Sequence, residues 1–455
     1  MRTLPDTADV LPETCVDVLV VGGGPAGSTI AALLAERGEN VVLLEKDRHP
    51  RFHIGESLLP FNLPLFEKLG VKEEIARIGM PKYGAEFVSL YNRGTAGFEF
   101  ANAWDKGFPY AYQVRRSEFD HILLKNAAAK GATVIEECRV TDVVFPPEGG
   151  AVASASDATG QLRRWRAKFL VDASGRDTLL ANHFQIKQRN PKHASAAIFG
   201  HFAGARRLSG KAQGNISLFW FDHGWCWFIP LADGTTSVGA VCRPAYLKSR
   251  KTDLAAFFMA TIALCPPLAE RLKHAQLVSP VTGTGNYSYR STRMMGKSYI
   301  MVGDAYSFID PMFSTGVYVA MSSAFLGADV VSASLHEPKK AARAFKAFDS
   351  RIRRALDAYS WYIYRMNTPA LRTMLLTTTN PFRLEEALLS LMAGDVFRPS
   401  PVHARLAVFR LVYLLLGLRT LKASFRAWRA RKGAARLGDL PPAAEPVAPE
   451  AATST

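Results

Sequence analysis

Gly22, Gly24 and Gly27 stand at the spacing G-x-G-x-x-G, with Pro25 and Ala26 inside the motif, and Glu45 follows 18 positions after the last glycine. Glycine at these points permits a tight turn and close approach of backbone amides to a pyrophosphate, while a carboxylate at that distance can accept from ribose hydroxyls. The chemistry this pattern serves is dinucleotide binding. Two shorter turns follow the same logic: Asp172-Ala173-Ser174-Gly175 and Gly303-Asp304-Ala305 each set an acid and a glycine behind an apolar run. Three such turns suit a ligand long enough to need separate contacts for adenosine, pyrophosphate, ribityl chain and ring, and FAD is such a ligand. A further cluster, Ser314-Thr315-Gly316, opens an apolar helical run, so its backbone N–H groups are placed to hold an anion.

These residues need elements to position them. Asp17–Val21 reads as a strand, the next segment as a helix through Arg37, and Asn40–Leu44 as a second strand, which sets the glycines in a βαβ unit. Phe169–Val171 and Tyr299–Val302 are strands feeding the other two turns. Residues 87–113 and 193–282 alternate short β-like runs with turns, for example Ala196–Ala203 and Thr236–Val241, as in a mixed or antiparallel sheet. Their aromatics, among them Phe100, Trp104, Phe108, Tyr110 and Trp220, suit an apolar aromatic substrate and a packed core equally well. From Ala324 the pattern turns helical. Within 405–432, Leu418, Leu421, Phe425 and Trp428 repeat at helical spacing, and Arg419, Lys422, Arg426 and Arg429 follow one position later. Such a basic amphipathic helix either packs with a solvated charged face or docks to anionic lipid or an acidic carrier protein. Residues 439–455 are Pro/Ala-rich without periodicity, which predicts disorder.

The formal charge is +16 over 455 residues, and between Pro401 and Gly438 there are nine Lys/Arg and no Asp/Glu. Without a nucleic-acid-binding motif beside it, this charge does not point to nucleic acid. The five cysteines, Cys15, Cys138, Cys226, Cys242 and Cys265, show neither C-x-x-C nor metal-ligand spacing. They read as reduced thiols in a cytoplasmic protein, with no metal site. No signal-peptide pattern is visible, and the longest apolar run, Leu411–Leu418, is far short of the ~20 residues of a membrane span.

The glycine motif, the segment Val114–Asp120 and the two later turns together resemble the FAD-binding pattern of group A flavin monooxygenases. The segment P-R-F-H-I-G-E-S-L-L-P, from Pro50 to Pro60, and the W-x-W-x-I-P run at Trp225–Pro230 narrow the resemblance to flavin-dependent halogenases. It covers about Val16 to Tyr364. The fold it implies is α/β, with a Rossmann-like FAD-binding domain of the glutathione-reductase type (1–86, 114–192 and 283–335) interleaved with a mixed β-sheet substrate domain (87–113 and 193–282). A helical C-terminal region (336–438) and the tail complete it. For FAD the resemblance implies contacts from Gly22, Gly24, Pro25, Ala26, Gly27, Glu45, Lys46, Ser57, Arg116, Asp172, Gly175, Gly303, Asp304, Pro311, Gly316 and Val317. The resemblance also implies that reduced flavin comes from a separate flavin reductase, and no second G-x-G-x-x-G is present.

Alone, Trp225 and Trp227 read as core side chains on one strand face. The resemblance implies instead a wall between the flavin and the organic substrate, so that activated oxygen meets chloride or bromide. Lys82, by itself a solvated lysine, lies in a K-x-G-A-x-F context similar to halogenases acting on phenols and pyrroles, whose lysine receives hypohalous acid. A buried ammonium there polarises HO–X, and a depressed pKa also permits a haloamine. The amides of Thr315 and Gly316 are the expected halide ligands. Phe313 stands where tryptophan halogenases carry glutamate, which turns the expectation from indole to a phenolic or pyrrolic ring, free or carrier-tethered. A flavin hydroxylase, an alkene reductase of the geranylgeranyl reductase type, and a non-catalytic flavoprotein docking to a membrane or carrier are the competing readings. Tyr306, where hydroxylases carry histidine, and the W-x-W-x-I-P run count against the first two.

Overall fold

The computed structural model describes residues 13–90, 94–190, 193–285, 288–376 and 380–419. Its first sheet is built on five parallel strands. Glu13–Val21 lies between Leu162–Asp172 and Val41–Leu44, and Tyr299–Met301 flanks Leu162–Asp172. Thr133–Ile135 extends the sheet beyond Val41–Leu44. The central strands are continuous apolar runs, buried from Val18 to Val21 and from Val41 to Leu44, as expected of a parallel sheet covered on both faces.

Register then does the positioning. Val21 pairs with both Leu44 and Asp172, and Asp172 pairs with Met301. The carboxyl ends of these strands therefore form one row, and the turns beginning at Gly22, Glu45, Ala173 and Gly303 leave the sheet side by side. This is where open α/β sheets bind their ligands.

The turns pack too closely for side chains. Gly22 sits at φ +103°, and a Cβ there would lie 2.4 Å from the Ala173 carbonyl oxygen. A Cβ on Gly27 would lie 1.8 Å from the Gly22 carbonyl oxygen. The helix that follows, Pro25–Glu36, is buried over its first ten residues and packs against the long helix Gly316–His336. That second helix is long and apolar enough to cross a membrane, but two thirds of its apolar window is buried in this core.

The second sheet runs in the order Gln276–Leu277, Ala196–Ala203, Thr236–Cys242, Gly224–Pro230, Ile216–Phe221, Gly84–Ser89, Gly94–Glu99, and Thr282–Thr284 also pairs with Ala196–Ala203. It is mixed: Ile216–Phe221 pairs parallel with Gly84–Ser89, and the other pairs are antiparallel. It includes residues 84–86 and 283–284, which the sequence boundaries place with the nucleotide unit. Helices Pro338–Ile363, Pro369–Leu376, Leu384–Ala393 and Val402–Arg419 form the C-terminal layer. Of the predicted basic helix, residues 405–419 are helical, whereas 420–432 and the predicted disordered tail, 439–455, lie outside the described residues. The five cysteines are unpaired.

Gly27→Ala tests the turn geometry. The backbone oxygen it would strike cannot swing away, so the variant is expected to lose roughly 2–3 kcal/mol in denaturant unfolding. Wild-type stability would mean that the turn opens freely.

Candidate active site

A cavity of about 610 Å³ runs along the row of strand ends and under the second sheet. Gly22, Gly24, Pro25, Ala26, Glu45, Lys46, Ser57, Arg116, Gly175, Asp304, Pro311, Gly316 and Val317 all line it, as do Trp225 and Trp227. Of the residues expected to touch cofactor, Gly27, Asp172 and Gly303 do not. Gly27 is spent on the contact with Gly22. The Asp172 carboxylate accepts from the amides of Ser174 (3.0 Å) and Leu180 (2.8 Å), so it builds its own turn. Gly303, at φ +59°, lets the chain pass Ala26 and Ala320 at close range.

Glu45 caps the glycine turn directly. Its two oxygens accept from the Gly23 amide (2.5 Å) and the Asp47 amide (2.9 Å). Arg116 is clamped by both oxygens of Asp120, at 2.7 and 2.9 Å, and donates to the Ile54 carbonyl at 2.9 Å. Burial pushes Asp120 up, but Arg116 and Arg51 outweigh it and hold the carboxyl below its usual range. Asp304 goes the other way: burial raises it to about 6 in spite of Arg176 and Arg116.

Sequence reasoning missed one pair. Glu56, 2% exposed and on the cavity wall, bonds His201 Nε2 through Oε1 at 2.8 Å, and its Oε2 is buried without a partner among the described residues. The residues are 145 positions apart, so no local spacing signals the contact.

Trp225 and Trp227 lie on Gly224–Pro230 with ring centroids 6.1 Å apart. Both are nearly fully buried, and both face the cavity. Trp227 lies across Gly239 of the neighbouring strand, where a Cβ would fall 2.2 Å from the indole, and donates to Ser237 Oγ at 3.1 Å. The Trp225 indole N–H favours the charged form of the Asp310 carboxyl. Asp310 also accepts from Ser195 Oγ (3.0 Å) and the Met312 amide (3.3 Å), and burial brings its carboxyl up to about 6. Trp225 thus ties the sheet to the loop that carries Ser314, Thr315 and Gly316.

In that loop Ser314 takes the left-handed conformation at φ +58°, and Thr315 stands at the N-cap position of the Gly316–His336 helix without a side-chain capping bond. The amides of a first helical turn have no intrahelical acceptor, so those at this point are free to bind an anion. Gly316 reaches the cavity, whereas the Thr315 side chain is buried behind it.

Lys82 does not line the cavity. It is 2% exposed, and its Nζ donates to Ser57 Oγ (2.9 Å) and the Leu58 carbonyl (3.0 Å), with the Phe100 ring centroid 5.3 Å away. One short strand explains this placing. Ala111–Gln113 pairs with Met80–Lys82, and Gln113 also bridges Ser57, so two residues 25 positions apart meet. Asn215 Oδ1 then accepts from the amides of Tyr83 and Gly84 (2.9 and 2.8 Å) and fixes the turn after Lys82. Burial alone pushes the Lys82 pKa down to about 7.

A lowered lysine pKa has a definite sign in stability. Between about 7 and the ordinary lysine value the unfolded chain holds a proton that the fold does not, so unfolding free energy rises with pH there. Wild type should therefore gain on Lys82→Met as pH rises from 7 towards 10, by up to about 1.4 kcal/mol per unit. A difference that stays flat in paired denaturation curves would mean that Lys82 keeps its proton in the fold.

The cavity fits FAD: a glycine turn for the pyrophosphate, three further strand-end contacts along its length, and an orphaned carboxylate oxygen on Glu56 for a donor on the ligand. Comparison with known proteins agrees. The sequence profile of the tryptophan halogenase family matches residues 17–107 and 99–370. A flavin-dependent halogenase of Armillaria mellea is 35% identical over 365 residues, 74% of this chain and 68% of that protein. The 1H-pyrrole-2-carbonyl-[peptidyl-carrier protein] chlorinase of Pseudomonas fluorescens is 29% identical, over 84% of this chain and 89% of that protein. Among solved structures, the myxobacterial chondrochloren halogenase superposes with a TM-score of 0.74 at 32% identity, covering 90% of this chain and 97% of that one. The chain belongs to the flavin-dependent halogenases: it is an FAD-dependent oxidoreductase that uses halide.

Proposed function

We propose that the chain transfers chloride or bromide, as hypohalous acid held at Lys82, to an electron-rich phenolic or pyrrolic ring, either free or tethered to a carrier protein. The observation that carries this reading is the buried Lys82 amine, hydrogen-bonded to Ser57 on the cavity wall, with its pKa pushed down to about 7 by burial. Reduced FAD, supplied by a separate flavin reductase, provides the two electrons with which O₂ and a proton convert halide to hypohalous acid, leaving oxidised flavin and water.

The chain's own residues do the rest. The Thr315 and Gly316 amides hold the halide in the cavity. Trp225 and Trp227 close the sheet side, so an aromatic ring cannot stack there. At Lys82 the ammonium donates to the oxygen of HO–X. The ring attacks the halogen, the O–X bond breaks, and oxygen leaves as water with the lysine's proton. The neutral amine then takes the proton lost from the ring. A pKa near 7 suits both halves of that exchange.

Phe313 is buried where tryptophan halogenases carry glutamate, so that position offers no base. A phenol, whose oxygen feeds electron density into the ring, needs one least. The chlorinase of Pseudomonas fluorescens acts, by its name, on a pyrrole carried by a peptidyl carrier protein, which supports the tethered alternative.

With reduced FAD from a generic reductase, chloride or bromide, and a panel of phenols, pyrroles and indoles, mass spectra should show halogen isotope patterns on phenols or pyrroles. Hydroxylated product free of halogen would overturn the reading. Lys82→Ala should keep FAD and lose halogenation by about a hundredfold or more; a wild-type rate would remove the lysine from the mechanism. Trp225→Phe keeps the ring but removes the indole N–H that acts on Asp310. Loss of that polar contact, ~1 kcal/mol, should loosen the loop and raise the halide KM about fivefold, whereas an unchanged KM would uncouple Asp310 from the halide loop.

A further inference from the structure

The helix Val402–Arg419 is inside out. Its buried side is apolar in the ordinary way, with Val402, Leu406 and Phe409 in the core. Arg405 and Arg410 are also turned inward, Arg405 stacked on Trp104 at 4.0 Å and Arg410 on Trp361 at 5.1 Å. What faces outward is Ala404, Ala407, Val408, Leu411, Leu414 and Leu415, and every exposed position from 404 to 415 is apolar. The three leucines are 56–59% exposed. At 1.5 Å per residue this stripe is roughly 16 Å long. An ordinary surface helix puts polar residues on that face, and a contiguous apolar stripe marks a contact surface.

We propose that this face docks the enzyme on an anionic lipid surface. Charge decides among the occupants. The sequence carries the apolar spacing onward through Leu421, Phe425 and Trp428, and nine Lys/Arg with no Asp/Glu lie between Pro401 and Gly438. A second copy of the chain would set two such cationic runs against each other. The chain's last seventeen residues, 439–455, offer Leu440 and Val447 as their only large apolar side chains and cannot cover the stripe. An acidic protein would meet leucines first, because Arg405 and Arg410 are turned away. Apolar side chains followed by aromatics among Lys and Arg match the headgroup boundary of an anionic bilayer, where leucines enter the acyl region and cations stay with the phosphates.

The test is co-sedimentation of the FAD-loaded enzyme with phosphatidylcholine vesicles and with vesicles that also contain phosphatidylglycerol. Wild type should bind the anionic vesicles more tightly, and added salt should weaken that binding. Leu411→Ser/Leu414→Ser/Leu415→Ser, with FAD absorbance and circular dichroism as checks of folding, should lower partition about tenfold or more. Lys422→Gln/Arg426→Gln/Arg429→Gln, which changes three of the nine Lys/Arg between Pro401 and Gly438, should remove much of the salt-sensitive part. No binding of wild type to anionic vesicles, or equal binding by the folded serine variant, would overturn the proposal. So would a wild-type dimer that the serine changes split without altering vesicle partition, since the face would then be an interface between copies. Binding confined to a phosphopantetheine-bearing carrier protein would overturn it in favour of protein docking.

Discussion

The nitrogen of Lys82 is cut off from water with two neutral oxygens and an aromatic face for company. Burying an ammonium without a counter-ion costs several kcal/mol, and the group answers by loosening its proton. A carboxylate beside it would hold the proton tightly and spoil the proton exchange proposed for it. The surrounding structure keeps the amine in place without supplying one. The strand pair Met80–Lys82 and Ala111–Gln113, the Asn215 oxygen behind it and Gly214, whose Cβ would meet the Pro81 carbonyl at 2.0 Å, hold the backbone, so that Ser57 and Leu58 need only orient the nitrogen.

The cavity beyond Ser57 depends on a different constraint, the absence of side chains. Gly22 and Gly27 allow the first helix to start against the sheet, and Gly239 lets the Trp227 indole lie flat across the neighbouring strand. One sheet supplies a row of strand ends for a long cofactor and the other supplies the wall that shuts the ring end. The chain crosses between them several times, which is why sequence-distant residues such as Ser57, Trp225 and Gly316 border the same space.

Where sterics are local, the sequence is readable. The glycine motif with Glu45, the strand before each turn, and the mixed sheet follow from spacing and alternation, because φ freedom and pleating are properties of a few consecutive residues. The pairing of Lys82 with Ser57 is not readable that way, since a third segment, Ala111–Gln113, makes it. Nor is Glu56 with His201, joined only by tertiary packing. Asp172 shows the converse: the residue type and spacing are those of a ligand contact, but two backbone amides at its own turn claim the carboxylate first. In the helix Val402–Arg419, periodicity reveals two faces but not which one turns outward; aromatic partners at Trp104 and Trp361 drew the arginines in.

A last electrostatic problem is set by the halide loop itself, which carries Asp310 a few residues before the amides that would hold an anion. Two negative charges that close repel strongly in a poorly solvated place. Burial raises the Asp310 carboxyl, which lessens its charge, and the Ser195 hydroxyl, the Met312 amide and the Trp225 indole spread donors around what remains. With its field answered locally, Asp310 leaves the first helical turn at Thr315 and Gly316 positive towards the cavity. In the proposed reaction Trp225 would have two jobs in one side chain: its ring face would bar the aromatic substrate, and its N–H, which favours the charged form of Asp310, would spread that charge beside the amides proposed for the halide.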